Sequence, residues 1–253
     1  MFHLSPAGKR RCWIISIALL FLGAIGGYIA WDMFFRDVPE ADYASAEERF
    51  KYGSIGAEND AGLPYWIWVV LPRVFPDLLP GPGGYRSFGL PWEPGHEMPI
   101  GFTKKTIGFP RVANNCAVCH ATSFRTKADE APTIVAAGPN HTTNIQGVLN
   151  FLTACAADPR FNADTLLLEI RQHVQLNMLE RVAYRFLLIP RTRQALMERR
   201  EQLAWMNRKD WPTWGPGRDD PMNLTKYFMT NMKPDDTVGS ADFPSVWTSS
   251  MSI

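Results

Sequence analysis

From Trp13 to Trp31 the sequence runs 19 residues without a charge, directly behind Lys9, Arg10 and Arg11. At a helical rise of about 1.5 Å per residue such a run spans roughly 28 Å, enough to cross the hydrocarbon core of a bilayer. The basic triplet before the run and Asp32 just after it favour a cytoplasmic N-terminus over residues 1–12, with the rest of the chain exported. Trp13, Tyr28 and Trp31 suit the two interfaces. The expected location is therefore the inner (cytoplasmic) membrane, crossed once, with the body facing the periplasm. A cleaved signal peptide would have a shorter apolar stretch of about 7 to 15 residues ending in a small-x-small site. Ala24 to Gly26 offers such a site, but the apolar run continues past it, so residues 13–31 are expected to remain as an anchor or uncleaved signal.

The rest of the chain has the balance of a globular body. Of 253 residues 46% are hydrophobic and 20% charged, and the formal net charge of +1 lacks the basic surplus of a nucleic-acid binder. From Asp37 to Phe50 the sequence is polar and rich in Ala and Glu, which predicts, over 32–50, a short juxtamembrane helix or spacer that lifts the body off the bilayer. Eight prolines between Pro64 and Pro99 predict an ordered but irregular wrap, in which Tyr65, Trp66 and Trp68 fill core rather than line a pocket. After residue 140, helical signals return. Thr142 or Thr143 is expected to cap a helix that ends near Asp158. Asn162 or Asp164 should cap the next, whose Ile170, Val174, Met178 and Val182 share one face until Pro190, and a third should follow from Thr192 to Asn207. No strand-type alternation stands out, so the body over 51–247 is expected to be mainly α with long Pro/Gly-rich connections.

The chemistry concentrates in Cys116-Ala117-Val118-Cys119-His120, a C-x-x-C-H pentapeptide, the attachment signature of c-type haem. Two thiols three positions apart on one helical turn reach the two vinyl groups, and the adjacent histidine is left to ligate the iron. One covalent haem c is thus expected, on Cys116, Cys119 and His120. A zinc site would need further ligands, with Cys155, His141 and His173 as nominees, but adjacent Cys119 and His120 are poorly placed to share one tetrahedral ion. A thioredoxin-like pair would call for a strand leading into the motif, whereas Pro110 to Asn115 is expected to be a loop. For the far side of the haem, the candidates are His141, His96, Met98, His173 and Met178. Met178 is expected in the core, and His141, in a Gly-Pro-Asn-His-Thr-Thr turn, is the favoured pocket residue.

Several segments carry a family resemblance: Tyr52 to Glu58, Gly62 to Trp68, Ile107 to Arg111 leading into the motif, and Gly138 to Thr143. With these, the stretch from about Phe50 to Phe243 resembles the N-terminal half of a bacterial cytochrome family related to di-haem cytochrome c peroxidases and haem-dependent rubber oxygenases. The resemblance implies a cytochrome c-like, predominantly helical fold around two c-type haems, one reactive and one passing electrons. This chain holds a single C-x-x-C-H, and its polar ending over 248–253 differs from what precedes it. A truncated product, or one completed by a second haem-bearing polypeptide, is therefore expected. The leading expectation is an electron-transfer cytochrome with a redox partner protein. The alternative is a peroxidase- or oxygenase-type haem oxidoreductase, or a remnant of one.

Overall fold

The computed structural model describes residues 6–40, 42–230 and 232–247, with side chains from Arg10 onward. The tail over 248–253 lies outside the described residues, as do residues 1–5 of the expected cytoplasmic segment. Helices take up about 47% of the chain. The mainly helical class thus holds, accompanied by small antiparallel sheets that residue periodicity did not disclose.

Helix α1 (Pro6–Phe34) contains a 25-residue apolar stretch, Arg10–Phe34, long enough to cross a membrane, and none of its apolar window is buried against the body. Its C-terminal end does touch the body. Phe34 packs edge-on against Phe109 at 6.4 Å, the Arg111 guanidinium donates to the Phe34 carbonyl at 3.1 Å, and Asp37 forms a β-bridge with Ile107. Helix α2 (Ala46–Tyr52) follows, its first turn capped by the Ser45 hydroxyl, which accepts the Glu48 amide at 3.0 Å. The short helix expected within 32–50 is thus present as α2, but the segment packs on the body instead of standing off it. The main-chain pairing at Asp37 and Val38 and the burial of Lys51 between Glu47 and Glu93 hold it there.

Strand β1 (Leu63–Pro64) leads straight into α3 (Tyr65–Val74), inside the stretch expected to be irregular. The helix tolerates Pro72 for a specific reason. Proline has no N–H to bond the carbonyl four residues back, and that carbonyl, on Trp68, instead accepts the buried Tyr85 hydroxyl at 2.9 Å. The Trp68 and Tyr85 rings also stack at 4.2 Å; Tyr65 and Trp68 are core residues as expected, whereas Trp66 is only half-buried and lines a cavity beside α1. Each fully buried large side chain of this cluster, such as Ile67, Leu71, Phe75 or Phe161, contributes on the order of 1.5–3 kcal/mol.

Strands β2 (Phe102–Ile107) and β3 (Phe109–Asn114) form a hairpin turning at Gly108, and with β1 they make a sheet of order β1-β3-β2. The loop expected at Pro110 to Asn115 is thus strand β3, so the lack of a strand ahead of Cys116 no longer counts against a thioredoxin-like pair. Pro110 is tolerated because it pairs only with Thr106 of β2, while β1 reaches no further than Arg111 and Val112, so no ladder donor is missed. Beyond the motif, β4 (Ala121–Phe124) and β5 (Thr133–Ala136) pair antiparallel.

Helix α4 (Ile145–Ala157) is capped by Asn144 rather than Thr142 or Thr143, and it ends at Asp158 as expected. Helix α5 (Ala163–Ile170) starts at the predicted Asn162 cap but stops after two turns. Helix α6 (Met178–Ala183) begins afresh at a capping box of Asn177 and Glu180, which resets the helical phase. The apolar stripe is broken accordingly: Ile170 is buried, but Met178 and Val182 are 75% and 48% exposed, so Met178 is not a core residue. Nor does Pro190 end the rod. A π turn over Tyr184–Leu188, in which the Ile189 amide reaches back to the Tyr184 carbonyl, carries the chain past Pro190 into α7 (Ile189–Gln202). Strand β6 (Arg218–Asp219), helix α8 (Pro221–Met229) and strand β7 (Ala241–Asp242) complete the fold, with β6 and β7 paired antiparallel.

Candidate functional site

Strand β3 delivers Asn115 to the start of the C-x-x-C-H segment. The buried Asn115 side chain accepts the Ala117 amide at 2.9 Å and donates to the carbonyls of Phe50 at 3.1 Å and Gly53 at 2.9 Å. It therefore caps a 3-10 turn over Cys116–Val118 while tying that turn to α2. The Cys116 carbonyl accepts the amides of Cys119 at 3.3 Å and His120 at 3.1 Å, which puts both thiols and the imidazole on one turn. Gly101 packs beneath it with φ 86°; a Cβ there would fall 2.2 Å from the Val118 nitrogen, so only glycine fits.

The second support is Asn140, 2% exposed, in the turn ahead of α4. Its amide nitrogen donates to the Val118 carbonyl at 3.0 Å and the Thr143 hydroxyl at 2.8 Å, and its Oδ1 accepts the amides of Thr142 and Thr143, each at 2.9 Å. The Asn140 backbone N–H adds a bond to the Cys119 carbonyl at 3.0 Å. The C-x-x-C-H turn and the 140–143 turn are thereby one hydrogen-bonded unit.

The third support comes from the far end of the chain. The Gly217 amide donates to the Thr143 carbonyl and Phe243 to Gly217, while Val246 donates to Ala137, at 2.8–3.0 Å. The Trp247 indole donates to the Ala136 carbonyl at 2.6 Å. These bonds lay residues 243–247 across the motif and place the Pro244 carbonyl 2.8 Å from His120 Nδ1. A carbonyl only accepts, so Nδ1 carries the hydrogen, and the tautomer this selects for the neutral ring leaves the lone pair on Nε2.

Cys116 is exposed, Cys119 and His120 are half-buried, and neither cysteine is in a disulfide. Burial, with the charge of Asp219 and the neighbouring Cys116, pushes the Cys119 thiol up to about 12. Asp219 is itself pushed up to about 6 by burial and by Asp220, partly offset by His120. The other residues singled out from sequence divide clearly. His141 is exposed and its Nδ1 bonds the Thr122 hydroxyl at 2.9 Å, so it joins the strand leaving the motif. His96 stacks on Tyr52 at 4.3 Å beside Glu93. Met98 is buried in the main core, His173 lies 3.5 Å from Glu169, and Met178 is exposed. Cys155 is fully buried in α4 and away from the motif's hydrogen-bond framework. Among the described residues, no three His, Cys, Asp or Glu side chains gather into a metal site. A haem supplies four nitrogen ligands of its own, and two free thiols beside one oriented imidazole fit that group.

Sequence reasoning did not find Asn115, Asn140, Gly101, Gly217 or Pro244. Asn115 had a local signal, because asparagine immediately before a turn is a preferred cap. Pro244 had none. No family model, curated protein or solved structure matches the chain.

Proposed function

We propose that the protein is a membrane-anchored c-type cytochrome, holding one haem c through thioethers at Cys116 and Cys119 with iron on His120 Nε2. We propose further that it passes electrons to or from a partner protein on the periplasmic side. The observation that carries this reading is the His120–Pro244 hydrogen bond within a C-x-x-C-H turn. Histidines that ligate a metal characteristically donate their other ring N–H to a carbonyl or carboxylate, which fixes the tautomer and raises the basicity of the ligating nitrogen. Each residue then has a task. Cys116 and Cys119 provide the covalent hold, Asn115 and Asn140 keep the turn in shape, and the Pro244 carbonyl orients the imidazole. When bound, haem supplies a one-electron ferrous–ferric couple whose potential responds to this ligand geometry and to burial. Among the described residues, one apolar helix long enough to span a membrane supports the anchor.

The test is expression with a c-type haem maturation system, followed by a denaturing gel stained for haem and a resonance Raman spectrum. Covalent haem with low-spin, six-coordinate iron is the expected result. High-spin, five-coordinate iron would move the function to peroxide or oxygen chemistry, and absence of covalent haem would overturn the reading.

A further inference from the structure

An exposed apolar face lies along α6 and the π turn. Met178, Leu179, Val182 and Phe186 are 75%, 55%, 48% and 72% exposed. At ~100° per residue these four positions fall within about 100° of one another, on a single face. Tyr184 and Leu188, on the other side of the same rod, are buried in the core. Contiguous large apolar side chains on an otherwise polar surface mark a contact surface.

What covers the face follows from its neighbour. Leu179, Glu180 and Ala183 form one wall of a cavity of about 300 Å³, and Tyr28, Ile29 and Asp32 of α1 form the other. Tyr28 and Ile29 belong to the charge-free apolar run. Helix α6 is therefore held at the level of the last turn of the membrane helix, where apolar chain gives way to Asp32 and Arg36. Exposed Arg181 and half-exposed Arg185, which pairs with Asp164 at 2.7 Å, border the face one turn apart. An apolar stripe edged by arginines, at this depth, has the composition of an interfacial helix.

We propose that α6 and the π turn rest in the headgroup–acyl boundary of the leaflet nearest the body. Met178, Leu179, Val182 and Phe186 enter among the acyl chains, and Arg181 and Arg185 lie at phosphate level. The body is then fixed at two points, α1 and this face, and does not swivel on its anchor. The inference rests on α1 as a membrane span and is independent of haem.

The full chain carrying Phe186→Cys, nitroxide-labelled and reconstituted in vesicles of phosphatidylcholine and phosphatidylglycerol, tests this by power-saturation electron paramagnetic resonance. Oxygen and a water-soluble nickel chelate serve as collision reagents, Leu20→Cys and Asp236→Cys are the lipid and water references, and the parent chain corrects for native cysteines. Position 186 is expected to collide with oxygen in preference to nickel, as Leu20 does. In the background of Met178→Glu and Val182→Glu, both at exposed positions, the label should move toward the nickel-accessible regime. A label at 186 that matches Asp236 while Leu20 stays in lipid overturns the inference and leaves the anchor standing. Exclusion of both reagents, varying with the protein-to-lipid ratio, overturns it in favour of a second copy on this face. An aqueous Leu20 removes the membrane span itself and the inference with it.

Discussion

His120 Nδ1 donates to the carbonyl oxygen of Pro244 at 2.8 Å, across 124 positions of sequence. The bond depends on the strap of residues 243–247, and the strap depends on Gly217 at φ 75°, where a Cβ would lie 2.8 Å from the His141 Cα. Gly217→Val is therefore expected to lift the strap and remove the hydrogen bond while leaving the motif's own sequence unchanged. With haem bound, loss of the carbonyl partner lowers the basicity of the imidazole and favours the ferrous form. A redox titration should show a raised reduction potential. His120→Ala is expected to keep covalent haem on a stained gel but to change the ligand-sensitive Raman bands.

Asn140 should matter chiefly for folding. Its side chain makes four hydrogen bonds at 2.8–3.0 Å while almost fully buried. Removing it leaves two backbone groups on buried residues, the Val118 carbonyl and the Thr143 amide, without their partner, at about 1–2 kcal/mol for each. Asn140→Ala is expected to lose roughly 2–4 kcal/mol in urea unfolding. Thr142→Ala, which removes the hydroxyl bond to the Gly89 carbonyl, is expected to lose about 1 kcal/mol.

These two residues also show what sequence discloses. The apolar run before Asp32 is contiguous in sequence, and the C-x-x-C-H spacing and the caps at Asn162 and Asp158 act within one or two helical turns, so each was legible because its physics is local. Strand β3 was not, because Pro110 suggests a break unless one knows that β1 stops at its neighbour Arg111. The continuous stripe from Ile170 to Val182 was misjudged for the same reason: the Asn177–Glu180 capping box, two residues among many polar ones, restarts the helix out of phase. The acceptor for His120 lies in a segment whose position is set by four separate backbone and indole bonds, and no local pattern encodes it.

The two motif thiols should differ in reactivity before haem is attached. Cys116 is exposed, whereas burial pushes the Cys119 thiol up to about 12, and the thiolate is the reactive form. Brief treatment of the folded, haem-free protein with iodoacetamide at pH 8, read by peptide mass spectrometry, is expected to modify Cys116 and spare Cys119 and the fully buried Cys155. Equal labelling of Cys116 and Cys119 would show that the turn is open in solution.

Acid should weaken the body through Arg160. Its guanidinium bridges Asp158 at 2.7 Å and Asp77 at 2.8 Å, and this pairing holds the Asp158 carboxyl at about 2, down from 3.8. A carboxylate depressed in the folded state stabilises above its unfolded value, and that contribution is lost as pH falls through the folded value. The melting temperature is thus expected to fall between pH of about 4 and about 2. Arg160→Gln should flatten the slope over this window while lowering stability at neutral pH.

The seating of α1 on the body turns on Gly108. At φ 69° it brings its Cα against the main chain of α1, and a Cβ would lie 2.3 Å from the Met33 carbonyl oxygen and 2.5 Å from the Phe34 Cα. Its amide donates to the Arg36 carbonyl at 2.7 Å, and the Val38 amide donates to Thr106 at 2.9 Å. Alanine at this position meets both the left-handed backbone and the main chain of α1, a strain of about 1–3 kcal/mol. Gly108→Ala is therefore expected to part the junction and leave the α3–α4 core packed. In hydrogen exchange the Gly108-site and Val38 amides should speed up roughly tenfold or more, a factor equal to about 1.4 kcal/mol. Core amides of Leu71 and Leu152 should keep their rates. A uniform acceleration would mean that anchor junction and core open as one cooperative unit, and unchanged exchange at Val38 would mean that α1 does not lean on the hairpin at all.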